Sequence, residues 1–321
     1  MKLIDFLQGQ NLLQDKKPPQ MGLFPFYKNG EPFEGVAPKA SDGQKIARPM
    51  WGMTLKAAGS MRFRWNETNS NRDRFLKGLC ERFGGEGQGE KRIVPLELIH
   101  SKIVFDVKEA GDIFQKQGDG IVTQNKSLIP VVTVADCVPL YFYDSKTGAF
   151  GVAHSGWKGT GIAAEVVALM KKNYGSDPRD ILAAIGPHIH NCCYLVDKER
   201  AKYFSDNFGS DCVQKLSQAQ DGGVQETGGP GLFGQEKKSF QAQDSGGLYR
   251  LSLLRANLNV LAAAGALEEN IVAAKNCTAC EERFGSFRRE AASLDLPPQE
   301  KSRLFTTQAA FVIMEGAEVN R

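Results

Sequence analysis

Histidine is scarce in this chain: His100, His154, His188 and His190 are the only four among 321 residues. An excess of one charge is lacking too, since 40 Lys and Arg stand against 37 Asp and Glu, a net +3. A dedicated nucleic-acid binder carries a strongly basic face, so no nucleic-acid partner is expected. No run approaches about eighteen consecutive apolar residues, so no membrane span is expected either. Met1-Lys-Leu-Ile-Asp-Phe6 has an acid at Asp5 and too short an apolar run for a signal peptide. The seven cysteines are odd in number and scattered. That is a poor disulfide framework and points to a reducing cytoplasm. No internal repeat is present.

The stretch Val131–Thr160 organises the rest. Val131–Ala135 and Val138–Tyr143 are rich in Val, Tyr and Phe, which suit a pleated, half-buried surface. Asp144–Gly148 supplies turn residues, so a hairpin into a third strand, Ala149–His154, is expected. Cys137 then falls in a break inside strand sequence and His154 at a strand end. Ser155–Gly161 leads into a helix whose Ile162, Val166, Val167 and Met170 share a face.

Upstream, Asn29-Gly30 marks a hairpin. Trp51–Lys56 reads as a strand, and Phe75, Leu76, Leu79 and Phe83 as a helix capped at Asn69, Ser70 or Asn71. Arg92–Phe105 reads as strand sequence with His100 in its middle, and Gly118–Thr123 as a turn entering a strand. Downstream, Ile181–Ile185 is a buried strand and Leu251, Leu254, Leu258 and Leu261 mark a helix closed by Gly265. Ala309–Met314 is a last strand. Residues 214–247 are rich in Gly, Gln, Ser and Lys, as expected of a surface insertion in an otherwise single domain spanning 1–321.

Taken singly, each histidine is more often a structural residue. If His100, Cys137 and His154 converge, however, they form three ligands with an open fourth position, the arrangement of a catalytic zinc. Such a metal lowers the pKa of its bound water to about 7. The glycines of Ser155–Gly161, Gly156 and Gly159 among them, let backbone N–H groups approach an anion at a helix N-terminus, with Lys158 adding charge. The same loop reads equally as a tight strand-to-helix turn. Phe287-Arg-Arg289 is more often a solvated turn, although Arg288 suits a phosphate or carboxylate if it faces the cleft. Cys277-Thr-Ala-Cys280 could be half of a structural zinc site, with Cys192 or Cys193 as partners. With no second Cys-x-x-Cys to complete it, Cys192, Cys193, Cys277 and Cys280 are expected to build neither a second metal site nor a disulfide.

Several motifs stand in a familiar order: Gly118-Asp-Gly-Ile-Val-Thr123, Thr133-Val-Ala-Asp-Cys-Val-Pro139, Ala153-His-Ser-Gly-Trp-Lys-Gly159, Gly186–Tyr194 and Cys277-Thr…Phe284-Gly-Ser-Phe-Arg-Arg289. From about Ile93 to Arg289 the chain resembles the YfiH/YlmD family, also called multicopper polyphenol oxidoreductase or laccase-domain proteins. The resemblance implies an α+β fold of mixed β-sheets layered with helices, similar to the deamidase domain of cytotoxic necrotizing factor. It implies His100, Cys137 and His154 as zinc ligands and catalytic residues. It further implies phosphorolysis of adenosine, inosine, guanosine and methylthioadenosine, with deamination of adenosine, so that purine nucleosides and phosphate are the partners. Some family members are linked instead to peptidoglycan editing. A copper-dependent polyphenol oxidase fits less well, because one blue-copper centre already takes two His and a Cys. A metal-free cysteine hydrolase or deamidase using Cys137 and His154 is a further alternative. The chain departs from the family pattern at Leu98, where Gln is usual, at Leu195, where Glu is usual, and at Lys56, which stands where Arg is expected and is taken as a substrate- or phosphate-binding candidate.

Overall fold

The computed structural model describes residues 1–8, 19–35, 47–84, 90–216 and 248–316. Its layering follows from the alternation of side chains along a strand. In the strand Val138–Asp144 every residue is buried. Leu140 and Phe142 pack into one core while Tyr141 and Tyr143 pack into another. A strand covered on both faces belongs to the middle of a layered molecule.

That strand lies at the centre of a seven-stranded sheet ordered Lys2–Ile4, Ile271–Ala274, Ile181–Ile185, Val138–Asp144, Phe150–Ser155, Gly120–Thr123, Val104–Asp106. A five-stranded sheet is ordered Met21–Pro25, Ala47–Thr54, Gln308–Gly316, Leu128–Val134, Arg92–Pro95. The two sheets share one core, in which Trp51, Val132 and Val312 of the smaller sheet meet Tyr141, Val152 and Leu182 of the larger. The rings of Trp51 and Tyr141 lie 4.8 Å apart across it. Full burial of each large apolar side chain there contributes about 1.5–3 kcal/mol. The outer face of the larger sheet carries helices Ile162–Tyr174 and Leu253–Ala263. Helix Ser70–Phe83 covers the outer face of the smaller sheet. The order is helix, sheet, sheet, helix, the α+β architecture of mixed sheets layered with helices.

Two connections that step between the sheets position the chemistry. Leu128–Val134 belongs to the smaller sheet and Val138–Asp144 to the larger, so Ala135-Asp136-Cys137 is a crossing. Arg92–Pro95 and Val104–Asp106 are likewise in different sheets, with His100 between them.

The central hairpin is antiparallel, as expected, with Pro139 opposite His154. Asn69 caps its helix by accepting from the Arg72 amide, and Gly265 stands at φ 92° just beyond Leu253–Ala263. Three expectations are corrected. The stretch Arg92–Phe105 is not one strand: it breaks after Pro95, and His100 sits in a loop at φ 59°. Leu251 belongs to the strand Tyr249–Leu251 rather than to the helix. Gln214 and Lys215 pair with Arg250 and Tyr249 in a small sheet, so these two are not part of a surface loop. Residues 217–247 of the expected insertion lie outside the described residues. Among the described residues no helix is long and apolar enough to cross a membrane.

Candidate metal centre and its cavity

Cys137 follows Asp136, whose backbone stands at φ 80°, a conformation that costs a non-glycine residue energy unless its surroundings hold it. Here the Asp136 carboxylate accepts from the Thr278 hydroxyl at 2.6 Å and from the Arg288 amide at 2.7 Å. These bonds fix the crossing and aim Cys137. His154 is the penultimate residue of the strand Phe150–Ser155 and is buried. His100, also at positive φ, is held by its backbone: its amide donates to the Asp119 carboxylate at 3.0 Å.

The three residues predicted as ligands converge. One ligand atom from each of His100, Cys137 and His154 lies within 4.8 Å of the others. The two imidazoles meet edge to face, with centroids 4.8 Å apart and planes at 86°. Gly156 closes one side of the group. A Cβ there would stand 2.9 Å from His100 Cδ2 and 3.2 Å from Cys137 Sγ, so the group requires glycine at this position. Two imidazoles and one thiolate form a donor set that suits zinc and also copper. The residues therefore fit a metal.

Electrostatics prepare the donors. Burial pushes the Cys137 thiol up, but the charge of His154 and hydrogen bonds with His100 and His154 outweigh it and bring the thiol down to about 6. Burial pulls His154 down, and the neighbouring Cys137 thiolate and Asp119 carboxylate reverse this, raising it to about 9. Asp119 accepts from His154 Nδ1 at 2.8 Å, which directs Nε2 of that ring toward the group. The buried Asp119 carboxylate stays below the usual range because His154 and Ser101 both donate to it.

The triad lines a cavity of about 570 Å³. Phe63, Trp157, Tyr194, Phe287 and Phe305 give its wall aromatic faces, and Arg62, Arg64, Arg200, Arg288 and Lys301 give it positive charge. Arg200 lies 4.3 Å from the centre of the Trp157 ring and Arg288 lies 5.5 Å from that of Tyr194. Arg288 lines the cavity, the condition under which its fork suits an anion, rather than standing on a solvated turn.

Three other anion-binding candidates lie off the cavity wall. Lys158 is exposed with its ammonium 5.4 Å from the Trp157 ring centre. Gly159 packs against the Ser101 carbonyl, which a Cβ would approach to 2.6 Å. Lys56 is paired with Glu290 at 2.7 Å. Gly156 lies beside the triad, where its lack of a side chain makes room for the ligands. Asp119 escapes a reading of the sequence because it looks like part of a turn, although the motif around Gly118 contains it. Arg62, Arg64 and Arg200 escape it as well, since the sequence offers no signal for them.

A pair of histidines and a cysteine, carried on layered sheets at the wall of an aromatic, arginine-bearing cavity, form a candidate metal site on a fold of the laccase-domain class. The model of the multi-copper polyphenol oxidoreductase laccase family matches residues 66–227 and 231–294, and the chain belongs to that family. A purine nucleoside phosphorylase, YlmD, from Geobacillus stearothermophilus is 35% identical over 175 residues, covering 54% of this chain and 55% of that protein. An adenosine deaminase, RL5, from an unknown prokaryotic organism is 30% identical over 179 residues, covering 53% and 56%. The chain thus spans about half the length of each of these two relatives. The crystal structure of a Bacillus licheniformis hypothetical protein, YfiH, superposes with a TM-score of 0.63 at 23% identity, covering 86% of this chain and 98% of that one. It shares the fold.

Proposed function

We propose that the chain is a zinc-dependent purine nucleoside phosphorylase that also deaminates adenosine, with adenosine, inosine, guanosine and methylthioadenosine as substrates. The observation that carries this reading is the convergence of His100, Cys137 and His154 at the wall of the aromatic, arginine-bearing cavity. The YlmD and RL5 relatives are named for these two activities, which supports it.

His100, Cys137 and His154 would hold the ion, and zinc when bound supplies Lewis acidity toward substrate oxygens and water. Asp119 fixes the His154 tautomer, and the lowered thiol of Cys137 presents a thiolate at neutral pH. The aromatic wall offers ring faces to a purine. In phosphorolysis a phosphate oxygen bonds to the ribose C1′ as the bond from C1′ to the purine nitrogen breaks. The base departs with the electron pair and takes up a proton. Arg288 and Arg200 suit the phosphate, since their guanidinium forks match its oxygens and hold it against the ribose.

A second reading is favoured by one observation: Asp119 behind His154 beside Cys137 also forms a nucleophile, base and orienting acid. That metal-free cysteine hydrolase or deamidase has no need of the third donor, His100. A laccase needs further histidine clusters, and the other ligand group found among the described residues is four cysteines.

The test pairs metal analysis with inosine and adenosine turnover, with and without phosphate. Release of hypoxanthine only with phosphate, and loss of both activities with the metal in His154→Ala, is expected. Full turnover by chelator-stripped enzyme that iodoacetamide then abolishes would favour the cysteine hydrolase.

A further inference from the structure

The four cysteines expected to build neither a metal site nor a disulfide come together. Sγ of Cys193 is 3.2 Å from that of Cys280, Cys192 is 3.5 Å from Cys280, and Cys192 is 3.7 Å from Cys193. Cys277 completes the group, all four sulfurs lying within 4.8 Å of one another. We propose that Cys192, Cys193, Cys277 and Cys280 bind one structural zinc ion, separate from the His100–Cys137–His154 group.

The topology brings the two turns side by side. Strands Ile181–Ile185 and Ile271–Ala274 are parallel neighbours, so the turns after them emerge side by side. The first turn is closed by Cys193 and Tyr194 amides donating to the His190 carbonyl. The second is closed by Cys280 and Glu281 amides donating to the Cys277 carbonyl. A bridge at His188 and Cys277 ties the two turns, with the Thr278 amide donating to the His188 carbonyl at 3.0 Å. Each turn thus contributes two thiols to one point.

The chemistry is that of a closed thiolate site. Four sulfurs at about 2.3 Å from a tetrahedral zinc stand about 3.8 Å from one another, close to the spacings here. The four are free thiols. A thiol is a weak donor and a weak acceptor, so contacts among four of them do little to gather two loops. A divalent soft-accepting ion does so directly, and all-sulfur sites select zinc, copper(I) or iron–sulfur chemistry. The His190 amide donates to Cys277 Sγ at 3.4 Å, the kind of outer bond that supports a ligating thiolate. With four protein ligands no position is left open, so the role is structural.

The site has a consequence for the cavity. Thr278 holds Asp136, and Arg289 donates to the Thr278 and Ala279 carbonyls at 2.7 and 3.1 Å. Tyr194 and Arg288 of the same two segments line the cavity. An ion at the four sulfurs clamps that wall without touching substrate.

The test uses full-length protein with His100→Ala and His154→Ala, which removes the first site and makes the count independent of the proposed activity. It is produced with zinc and purified anaerobically under reductant. One zinc per chain is expected, lost on adding Cys280→Ser or Cys192→Ser, both at exposed positions. Cobalt(II) exchanged into the double-histidine variant should show an intense thiolate-to-metal charge-transfer band, which decides the matter even if a serine variant fails to fold. Amide exchange across 186–194 and 275–290 should accelerate when the ion is removed. No retained zinc and no cobalt–thiolate band overturn the proposal. So does a Cys280 disulfide in the freshly purified reduced protein, or zinc retained in both folded serine variants.

Discussion

Asp119 accepts four hydrogen bonds: from the His100 amide, from the Ser101 amide and hydroxyl, and from His154 Nδ1. One carboxylate therefore sets the backbone of one histidine and the ring of the other. In Asp119→Asn the amide's NH2 must face one of these donors, so the two histidines lose their common alignment. Metal affinity should fall by about 10–100-fold, read by competition with a chromophoric chelator, while Asp119→Glu should recover little because the longer arm displaces both bonds. Unchanged affinity in Asp119→Asn would deny the carboxylate this role. As candidates His100, Cys137 and His154 were legible in the sequence, because histidine is scarce here and recognisable motifs carry Cys137 and His154, whereas their convergence was not. Asp119 was not, since Gly118-Asp-Gly120 has the composition of an ordinary turn and its partners lie 18 and 35 residues away.

At the same scale, His188 is fully buried and its Nδ1 donates to the Gly186 carbonyl, leaving Nε2 without a partner among the described residues. Burial and then the neighbouring His190 bring its pKa down to about 3. The folded state therefore binds fewer protons than the unfolded chain, whose His titrates near about 6.5. The stability from keeping His188 neutral is complete above that pH and is lost as pH falls toward 3, with a slope of up to about 1.4 kcal/mol per pH unit. His188→Asn removes the titration. Denaturant midpoints measured from about pH 7 to 4 should fall less steeply in this variant, and parallel curves would contradict the assignment.

Among the elements, the loops between strands decide the chemistry, and they were the least legible part. Val138–Asp144 and Phe150–Ser155 are readable from their apolar content, which the buried faces require. The break that places His100 is not, because its cause is tertiary: Asp119 takes the amides of residues 100 and 101, so the chain cannot continue as a strand. The four-cysteine group was legible in part: Cys192 and Cys193 stood as candidate partners of Cys277-Thr-Ala-Cys280, but without a second Cys-x-x-Cys spacing only the fold shows that the four meet. For the phosphate of the proposed reaction, the cavity wall favours Arg288 over the glycine loop. Lys158→Ala should change the KM for phosphate by about twofold at most, as expected of an exposed side chain. Arg288→Ala should raise it by about 10–100-fold, the worth of a charged hydrogen bond. Initial rates of inosine phosphorolysis at varied phosphate separate the two, and the reverse order would return the site to the loop.

For the whole molecule, the layers were legible as a class, since alternating and fully apolar strands with amphipathic helices imply sheets covered by helices. Which strands neighbour one another was not, because pairing depends on contacts between residues far apart in the chain. The strand Gln308–Gly316 is the clearest case, lying between Ala47–Thr54 and Leu128–Val134 in the smaller sheet. A ribosome emitting this polypeptide delivers all three ligands of the cavity site long before that strand. Until it arrives, Leu128–Val134 has an open edge and the crossing that aims Cys137 has no settled layer to leave from. A chain ending at Thr307, with His100, Cys137 and His154 intact, should bind no zinc at that site and should expose its apolar core to a fluorescent dye. Full zinc loading of such a truncated chain would disprove the dependence. The ion proposed for the cavity site would then be captured only once vectorial synthesis is complete, a late seal on a finished fold rather than a seed for it.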